Sequence, residues 1–225
     1  MSRDTDNQIT LYTHRGGLNG WKVACLLSEL GLAYESIYLD FSKQEQKSPE
    51  YLKLNPNGRI PAIIDHLNND LVLWESNAIL LYLVDTYDKE HKFSAATDTD
   101  KAFQNQWLSF QGSGQGVYFG QYFWFTFFHP EKVPSAVARY GKETERILDV
   151  LNDVLSKQEW LVGNKVTIAD ISFITWNHGV FAQREVLGMD LPIAETWPAV
   201  YRWHKALISR PAIKSVLDEM VALSN

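Results

Sequence analysis

The chain has few of the sequence features that mark secreted, membrane-spanning or disulfide-linked proteins. Only one cysteine, Cys25, occurs among its 225 residues, so an internal disulfide is excluded. No apolar run approaches the ~20 residues that a membrane-spanning helix requires. The N-terminus lacks the order of charged, apolar and small residues that is typical of a signal peptide. We therefore expect a cytoplasmic protein in a reducing compartment.

Basic charge is also scarce. The chain has 21 Lys and Arg residues against 27 Asp and Glu residues, a formal net charge of -6, without a basic cluster. This balance argues against a nucleic-acid partner and against an anionic membrane surface. The histidines show no spacing typical of metal ligands, so we expect no metal. Apolar residues are plentiful, because 45% of the chain is hydrophobic and 13% is aromatic, which is enough for a substantial core.

The residue pattern divides the chain into an α/β part and an all-α part. We predict a first domain over residues 1–90, a polar linker over 91–97 and an all-helical domain over 98–225. In the first part, strand and helix patterns alternate: strand "QITLYT", helix Gly20–Leu30 closed by Gly31, strand "AYESIYL", short helix "SPEYLKL", a hairpin of "PAIIDH" and "LVLWE", and a helix from Glu75. In the second part, helical patterns cover roughly Asp98 to Phe128, Pro134 to Ser156, Ile168 to Phe181, Pro198 to Ser209 and Ala212 to Leu223.

Two stretches of the first part resemble a known family. The segments "SPEYLKLNPNGRIPAIID" and "WESNAILLYLVDTY" are similar to glutathione transferases, which have a thioredoxin-like N-terminal domain and a helical-bundle C-terminal domain. The turn ending in Asn-Gly-x-Lys and the later "WLSFQGSGQGVYFGQ" resemble the nu class and the fungal relatives of a yeast nitrogen-regulatory protein. The chain departs from these relatives at Leu18, where they have proline, and at Gly17, where bacterial members have threonine.

This resemblance implies an enzyme that binds glutathione as a substrate and transfers its thiolate to apolar electrophiles, as in detoxification. It also implies a homodimer. Two alternatives stay open. The first is a glutathione-dependent disulfide oxidoreductase of nu-class type; disulfide reduction and peroxidase activity are also candidate side activities of the transferase. The second is a transferase-like regulatory scaffold without catalysis, as in the nitrogen regulator.

Asn19 is the candidate catalytic residue. It lies where the turn "HRGGLNG" enters the first helix, so one interpretation is a helix N-cap. In the other interpretation, its amide N–H donates to the sulfur of glutathione. A hydrogen-bond donor and a helix N-terminus both favour a thiolate, whose thiol has a pKa of about 8.5 when free. The resemblance places the catalytic asparagine of nu-type enzymes at this position.

Other residues of the same turn compete for a catalytic role. Tyr12 matches the tyrosine that several transferase classes use, but strand alternation places it opposite Ile9 and Leu11, and we interpret it as a core residue. His14 and Arg15 are interpreted either as solvated loop residues or as positive charge near the thiolate.

The resemblance also implies the residues that bind glutathione. Pro61 matches the cis proline of thioredoxin-like folds, where the backbone of the preceding residue, Ile60, pairs with the cysteinyl part. Ser76 would hold the γ-glutamyl carboxylate at a helix N-terminus, and Glu75 would balance the ammonium group. Gln46 matches the position that contacts the glycyl end. Arg59 is a further candidate for the glycyl carboxylate. For each residue, capping or loop placement is the alternative.

An apolar acceptor pocket is predicted from the aromatic run "GVYFGQYFWFTFFH". Most of its rings are expected to be core residues, as is usual for an aromatic stripe at helical spacing. We assign Tyr122 and Leu18 to the acceptor pocket. Arg139 is a further residue that is near the sulfur in some relatives, with an exposed helix position as the simpler interpretation. Thr167 and Asp170 form a predicted capping box and are assigned no chemistry.

Overall fold

The computed structural model describes residues 8–189 and 192–224, and these residues form two compact units. The first unit contains the chain through Glu90 together with the residues from Ser209 onward. The second unit contains His91 to Ile208. The C-terminal helix is therefore grouped with the α/β part, whereas the sequence pattern places it with the helices that precede it.

A four-stranded mixed sheet is the centre of the first unit. The strands are β1 Ile9–Thr13, β2 Tyr34–Tyr38, β3 Ala62–Asp65 and β4 Leu71–Trp74, in the order β2-β1-β3-β4. Strand β1 is parallel to β2 and antiparallel to β3, with Leu11 opposite Ile63. Strands β3 and β4 form the antiparallel hairpin that the sequence predicts.

Helices cover both faces of this sheet. The helices of the unit are α1 Leu18–Leu30, α2 Pro49–Leu54, α3 Ser76–Tyr87 and α10 Pro211–Ser224. Ile9 and Leu11 are fully buried on one face, and α1 lies against that face. Tyr12 points to the other face and packs with Leu39, Tyr51 and Ala62. This packing agrees with the interpretation of Tyr12 as a core residue.

Local signals explain where several of these helices begin and end. Ser48 caps α2 by accepting the N–H of Tyr51 at 3.2 Å, and Pro49 is the first helical residue, as predicted. Gly31 ends α1 in the left-handed conformation with φ +67°. Arg210 anchors α10 to α1 through a bidentate ion pair with Glu29, which is largely buried.

The second unit is helical throughout its described regular structure. Its helices are α4 Asp98–Phe110, α5 Gly116–Phe123, α6 Pro134–Leu155, α7 Ile168–Ala182, α8 Ile193–Thr196 and α9 Pro198–Ile208. The helix predicted from Asp98 to Phe128 is confirmed as a helical stretch with these bounds, in which the hydrogen bonding is π-helical at Gln111–Gln115 and Trp124–Phe128. Helix α8 is not part of the sequence prediction.

The Thr167 capping box at the start of α7 is confirmed. The Thr167 backbone N–H donates to Asp170 at 2.9 Å, and the Thr167 hydroxyl accepts the N–H of Ala169 at 3.2 Å. Asp170 also accepts the indole N–H of Trp203 at 2.9 Å, so the box ties α7 to α9. Over the described residues, none of the helices combines the length and the apolar composition needed to cross a membrane.

Candidate active site

The turn between β1 and α1 presents Asn19 at the N-terminus of the helix. Gly17 is the N-cap residue, with its carbonyl accepting the N–H of Gly20 at 2.9 Å, and no side chain caps the helix. Asn19 is the second helical residue. A capping role therefore does not account for this asparagine, whose half-buried side chain lies in the first turn, where a helix attracts anions.

His14 and Trp21 fix the shape of the turn. The Nδ1 atom of His14 accepts the N–H of Gly16 at 3.0 Å, and its ring stacks on Phe41 with ring centroids 4.3 Å apart. The indole N–H of Trp21 donates to the carbonyl of Arg15 at 2.7 Å. Burial lowers the pKa of His14 below its usual value, which disfavours the charged imidazolium. His14 is therefore a poor source of positive charge for this turn.

Gly20 allows α1 to approach β1 closely. A Cβ atom at this position would lie 1.9 Å from Oγ1 and 2.7 Å from Cβ of Thr13. Only glycine leaves room for Thr13, which is 1% exposed. Gly20, the glycine of the Asn-Gly-x-Lys pattern, therefore sets the distance between the first turn of α1 and strand β1.

The loop before β3 brings Ile60 against this same turn. The Ile60-Pro61 peptide bond is cis, which confirms the prediction for Pro61. The carbonyl of Arg59 accepts hydrogen bonds from the hydroxyl of Tyr51 at 2.6 Å and from the side-chain amide of Asn55 at 2.8 Å. These two bonds fix the loop to α2 and its C-cap residue. A Cβ atom on Gly17 would lie 2.7 Å from Cδ1 of Ile60. The structure thus brings Ile60 and the start of α1 together.

Gln46 lies beside the same loop. Lys47 donates to the carbonyl of Asn57 at 3.0 Å, and a Cβ atom on Gly58 would meet the carbonyl of Gln46 at 2.9 Å. Gly58 has φ +60°, which a side chain would strain. Among the described residues, the buried Oε1 atom of Gln46 has no hydrogen-bond partner. A buried amide oxygen of this kind is an acceptor available to a ligand.

The N-terminus of α3 carries the next two candidate residues. Glu75 precedes the helix with φ +70°, an unfavourable backbone conformation for a residue with a side chain, and its carbonyl accepts the N–H of Ile79 at 2.9 Å. Such conformations cost about 1–3 kcal/mol and cluster at binding sites. Ser76 is the first helical residue, and Glu75 is exposed.

A buried lysine joins α1 to α3. Lys22 is 1% exposed, and its ammonium group donates to Oδ1 of Asn77 at 2.8 Å. Burial lowers the pKa of Lys22 to about 7, while the nearby charge of Glu75 opposes this shift. Sequence reasoning recognised Lys22 only as part of a family pattern. Its position between Trp21 and Val23 in a buried helix is the signal that would have indicated a structural or binding role.

The predicted acceptor residues lie in different units. Leu18 is the first residue of α1 and is half-buried. Tyr122 belongs to α5, is 4% exposed, and donates its hydroxyl to the carbonyl of Leu187. This contact gives Tyr122 a structural role within the helical unit. Arg139 pairs with Glu143 on the exposed side of α6, as in the simpler interpretation of that residue.

The described residues offer no group of three or more His, Cys, Asp and Glu side chains that could hold a metal ion. Cys25 is fully buried, and burial raises the pKa of its thiol to about 12, so it is not a reactive thiolate. The polar groups that converge in the first unit are instead two helix N-termini, the backbone around Ile60, and the amides of Asn19 and Gln46. This set suits a peptide that carries a thiol and carboxylates.

A thioredoxin-like unit with a cis proline beside the first helix, followed by an all-helical unit, defines the fold of a glutathione transferase. Residues 7–85 match the family model for the glutathione S-transferase N-terminal domain, and residues 118–211 match the model for its C-terminal domain. The chain belongs to the glutathione S-transferase family, and it is a glutathione transferase of the fungal, Ure2-like kind.

Known relatives support this membership over nearly the whole chain. Glutathione S-transferase 2 of Schizosaccharomyces pombe is 49% identical, with 94% of this chain and 96% of the relative covered. The crystal structure of URE2P6 from Phanerochaete chrysosporium in complex with oxidized glutathione is 56% identical, with a TM-score of 0.92 over 99% of this chain and 100% of the other. Ure2p5 of the same organism, cocrystallized with 1-(S-glutathionyl)-2,4-dinitrobenzene, is 49% identical, with a TM-score of 0.88 over 96% of each chain.

Proposed function

We propose that the chain activates glutathione as a thiolate at the N-terminus of α1 and transfers it to small apolar electrophiles. One observation carries this proposal: the first unit brings the start of α1, the Ile60 loop and the start of α3 together through the Gly17–Ile60 approach and the Lys22–Asn77 hydrogen bond. These three segments supply the groups that each part of glutathione requires.

Asn19 is the proposed catalytic residue. Its side-chain amide donates a hydrogen bond to the glutathione sulfur, and the N–H groups of the first turn of α1 add positive potential. Both interactions favour the thiolate over the thiol. Because an amide is not a base at neutral pH, Asn19 stabilises the anion, and the thiol proton leaves to solvent.

The peptide ends bind at the remaining positions. The carboxylate of the γ-glutamyl group accepts from the hydroxyl and backbone N–H of Ser76, and the carboxylate of Glu75 pairs with its ammonium group. The backbone of Ile60 pairs with the cysteinyl part. Gln46 and Arg59 bind the glycyl end, where the side-chain N–H groups of both residues donate to the carboxylate.

In conjugation, the thiolate sulfur forms a bond with an electrophilic carbon, and either a leaving group departs or an unsaturated bond takes up a proton from solvent. Leu18, the first residue of α1, gives the site an apolar edge. Tyr122 is the second residue that we assign to the acceptor pocket. The bound dinitrophenyl conjugate in the Ure2p5 crystal favours this reaction for the relative.

Disulfide reduction is the second candidate function, favoured by the oxidized glutathione bound in the URE2P6 crystal. The first glutathione thiolate attacks a disulfide sulfur and releases one substrate thiolate. A second glutathione thiolate then attacks the glutathione sulfur of the mixed disulfide, which forms oxidized glutathione and releases the second substrate thiolate. Arg15, at the edge of the turn, is the cation that would attract the carboxylates of the second glutathione. A non-catalytic scaffold is the third hypothesis, and it predicts that the protein binds glutathione without turnover of either substrate.

A paired assay distinguishes these three hypotheses. Purified protein is supplied with glutathione and either an aryl halide or a small hydroxyalkyl disulfide, and the Asn19→Ala variant is measured beside it. We expect turnover of both substrates and a loss of at least tenfold in kcat for both in the variant. Turnover of the disulfide alone would contradict the conjugation proposal. Glutathione binding with neither reaction would leave the scaffold as the function.

A further inference from the structure

The first unit contains one buried cation that the proposed chemistry leaves without a role. Lys22 lies one helical turn after Asn19, so both residues are on the same side of α1. Its side chain is 1% exposed, and it ends in a 2.8 Å hydrogen bond to Asn77, the second residue of α3. A buried ammonium group is costly to desolvate, and it persists only where it is well paired.

We propose that Lys22 is a positioning residue of the glutathione site: its ammonium group holds the first turn of α3, with Glu75 and Ser76, beside the first turn of α1, with Asn19. The inference rests on the proposed function, because it takes Asn19, Glu75 and Ser76 as the groups that contact glutathione. It assigns Lys22 no contact with the substrate.

The contacts of α3 explain why this turn needs an anchor. Glu75 holds an unfavourable φ of +70°, so the backbone entering α3 returns to a relaxed conformation unless other contacts fix it. The bond from Lys22 to Asn77 fixes the second residue after Glu75, with Ser76 between them. Ser76 can then present its hydroxyl and N–H together to a carboxylate.

Charge gives Lys22 a second effect on the same site. The negative charge of Glu75, the residue before α3, favours the charged form of Lys22 and opposes the effect of burial on its pKa. The ammonium group therefore acts on the start of α3 both through its hydrogen bond to Asn77 and through the charge of Glu75.

The test compares Lys22→Met with wild type by calorimetric binding of S-methylglutathione, which has no titrating thiol, and by steady-state kinetics with glutathione. Methionine has a similar length and fills the buried site, and replacing a buried charge by an apolar side chain is often neutral or stabilising. We expect affinity to fall and the KM for glutathione to rise by roughly tenfold, with kcat changed less than threefold and thermal stability unchanged or higher. A purely structural lysine would instead lower stability and leave affinity unchanged.

Three further variants complete the design. Asn77→Ala should weaken S-methylglutathione binding to a similar extent, and the double variant should be no weaker than either single one, because both remove the same contact. This arm also covers the case in which Lys22→Met folds poorly. Lys214→Met, an exposed lysine on α10, is the control and should bind like wild type.

Ser76→Ala distinguishes the inference from the proposal on which it rests. If Ser76→Ala weakens binding while Lys22→Met and Asn77→Ala do not, the site is correct and the positioning role of Lys22 is wrong. If Ser76→Ala binds like wild type, the proposed γ-glutamyl site is wrong, and the role assigned to Lys22 falls with it. Additive losses in the Lys22 and Asn77 variants would also overturn the inference.

Discussion

Asn19 is the residue on which the proposed activation of glutathione depends. An asparagine after a glycine-rich turn can cap a helix or donate a hydrogen bond to a bound thiolate. In the structure Gly17 holds the cap position, and Asn19 is the second helical residue. We propose that this side chain donates a hydrogen bond to the sulfur of glutathione.

Substitution of Asn19 by alanine is expected to raise the pKa of bound glutathione. If the amide bond contributes about 1.5–3 kcal/mol to the charged form, the thiol pKa rises by roughly one to two units. Asn19→Asp should raise it further, since a carboxylate repels the thiolate. Glutathione affinity should change little, and no loss of a helix cap is expected. Titration of thiolate absorbance measures the pKa, and equal values in all three proteins would remove Asn19 from the mechanism.

Helix α1 carries Asn19, so its position relative to β1 sets the geometry of the proposed glutathione site, and Gly20 determines that position. Gly20→Ala would put a Cβ atom 1.9 Å from the Thr13 hydroxyl, so α1 must shift away from β1. We expect a loss of about 1–3 kcal/mol in the free energy of unfolding and a weaker glutathione site. Urea denaturation measures the first effect.

Gly114→Ala is the control for this substitution, because the nearest atom to its added Cβ would be 3.7 Å away, an ordinary contact. Combining Gly20→Ala with Thr13→Gly should recover part of the lost stability, since it removes both atoms that clash. If Gly20→Ala is as stable as Gly114→Ala, the close approach of helix and strand is not the constraint proposed.

The pairing of α7 with α9 gives the helical unit an acid-sensitive point. His204 on α9 is 3% exposed, and its ring lies 6.0 Å from that of His178 and 5.0 Å from that of Phe181. Burial, together with the charges of His178 and Lys205, lowers the pKa of His204 to about 3. His204 is therefore neutral in the folded protein, whereas in the unfolded chain its imidazole takes up a proton near pH 6.5.

Stability from this histidine is complete above pH 6.5 and is lost as pH falls toward about 3. One proton taken up on unfolding gives a slope of about 1.4 kcal/mol per pH unit within that window. His204→Phe keeps a ring of similar size and should flatten the pH dependence of the free energy of unfolding by that amount. Urea unfolding at pH 7.5, 6 and 5 measures it, and parallel curves for the two proteins would contradict the assignment.

Local and long-range signals differ in what they predict for these elements. The Ser48-Pro49 helix start, the hairpin of β3 and β4, and the capping box of Thr167 all depend on neighbouring residues, and the sequence predicts each of them. The π-helical turns after Phe110 and Phe123 are not predicted, because their aromatic and glycine residues also satisfy ordinary helical spacing. Lys22 and Gly20 have roles only through contacts with α3 and β1, which no local pattern contains.

At the scale of the whole molecule, the exposed apolar side chains bear on how copies of the chain assemble. We propose a symmetric homodimer, the commonest form of soluble oligomer and the one that the family resemblance implies. Exposed apolar side chains support it. Trp74 at the end of β4 is 37% exposed, and Phe103 on α4 is 49% exposed. Among the described strands, β4 is the last in the sheet order, so it also offers an edge.

The proposed contact joins α3 and β4 of one chain to α4 of its partner, with Phe103 as an apolar anchor of the kind that dominates interfaces. Sedimentation at micromolar concentration should give twice the mass of one chain. Phe103→Glu places a charge in the contact and should shift the protein to a monomer without unfolding it, because the side chain is half exposed in the single chain. Val221→Glu, on α10 with an equally exposed side chain, should remain dimeric. A wild-type monomer under these conditions would exclude the dimer, and a dimeric Phe103→Glu variant would place the contact on another surface.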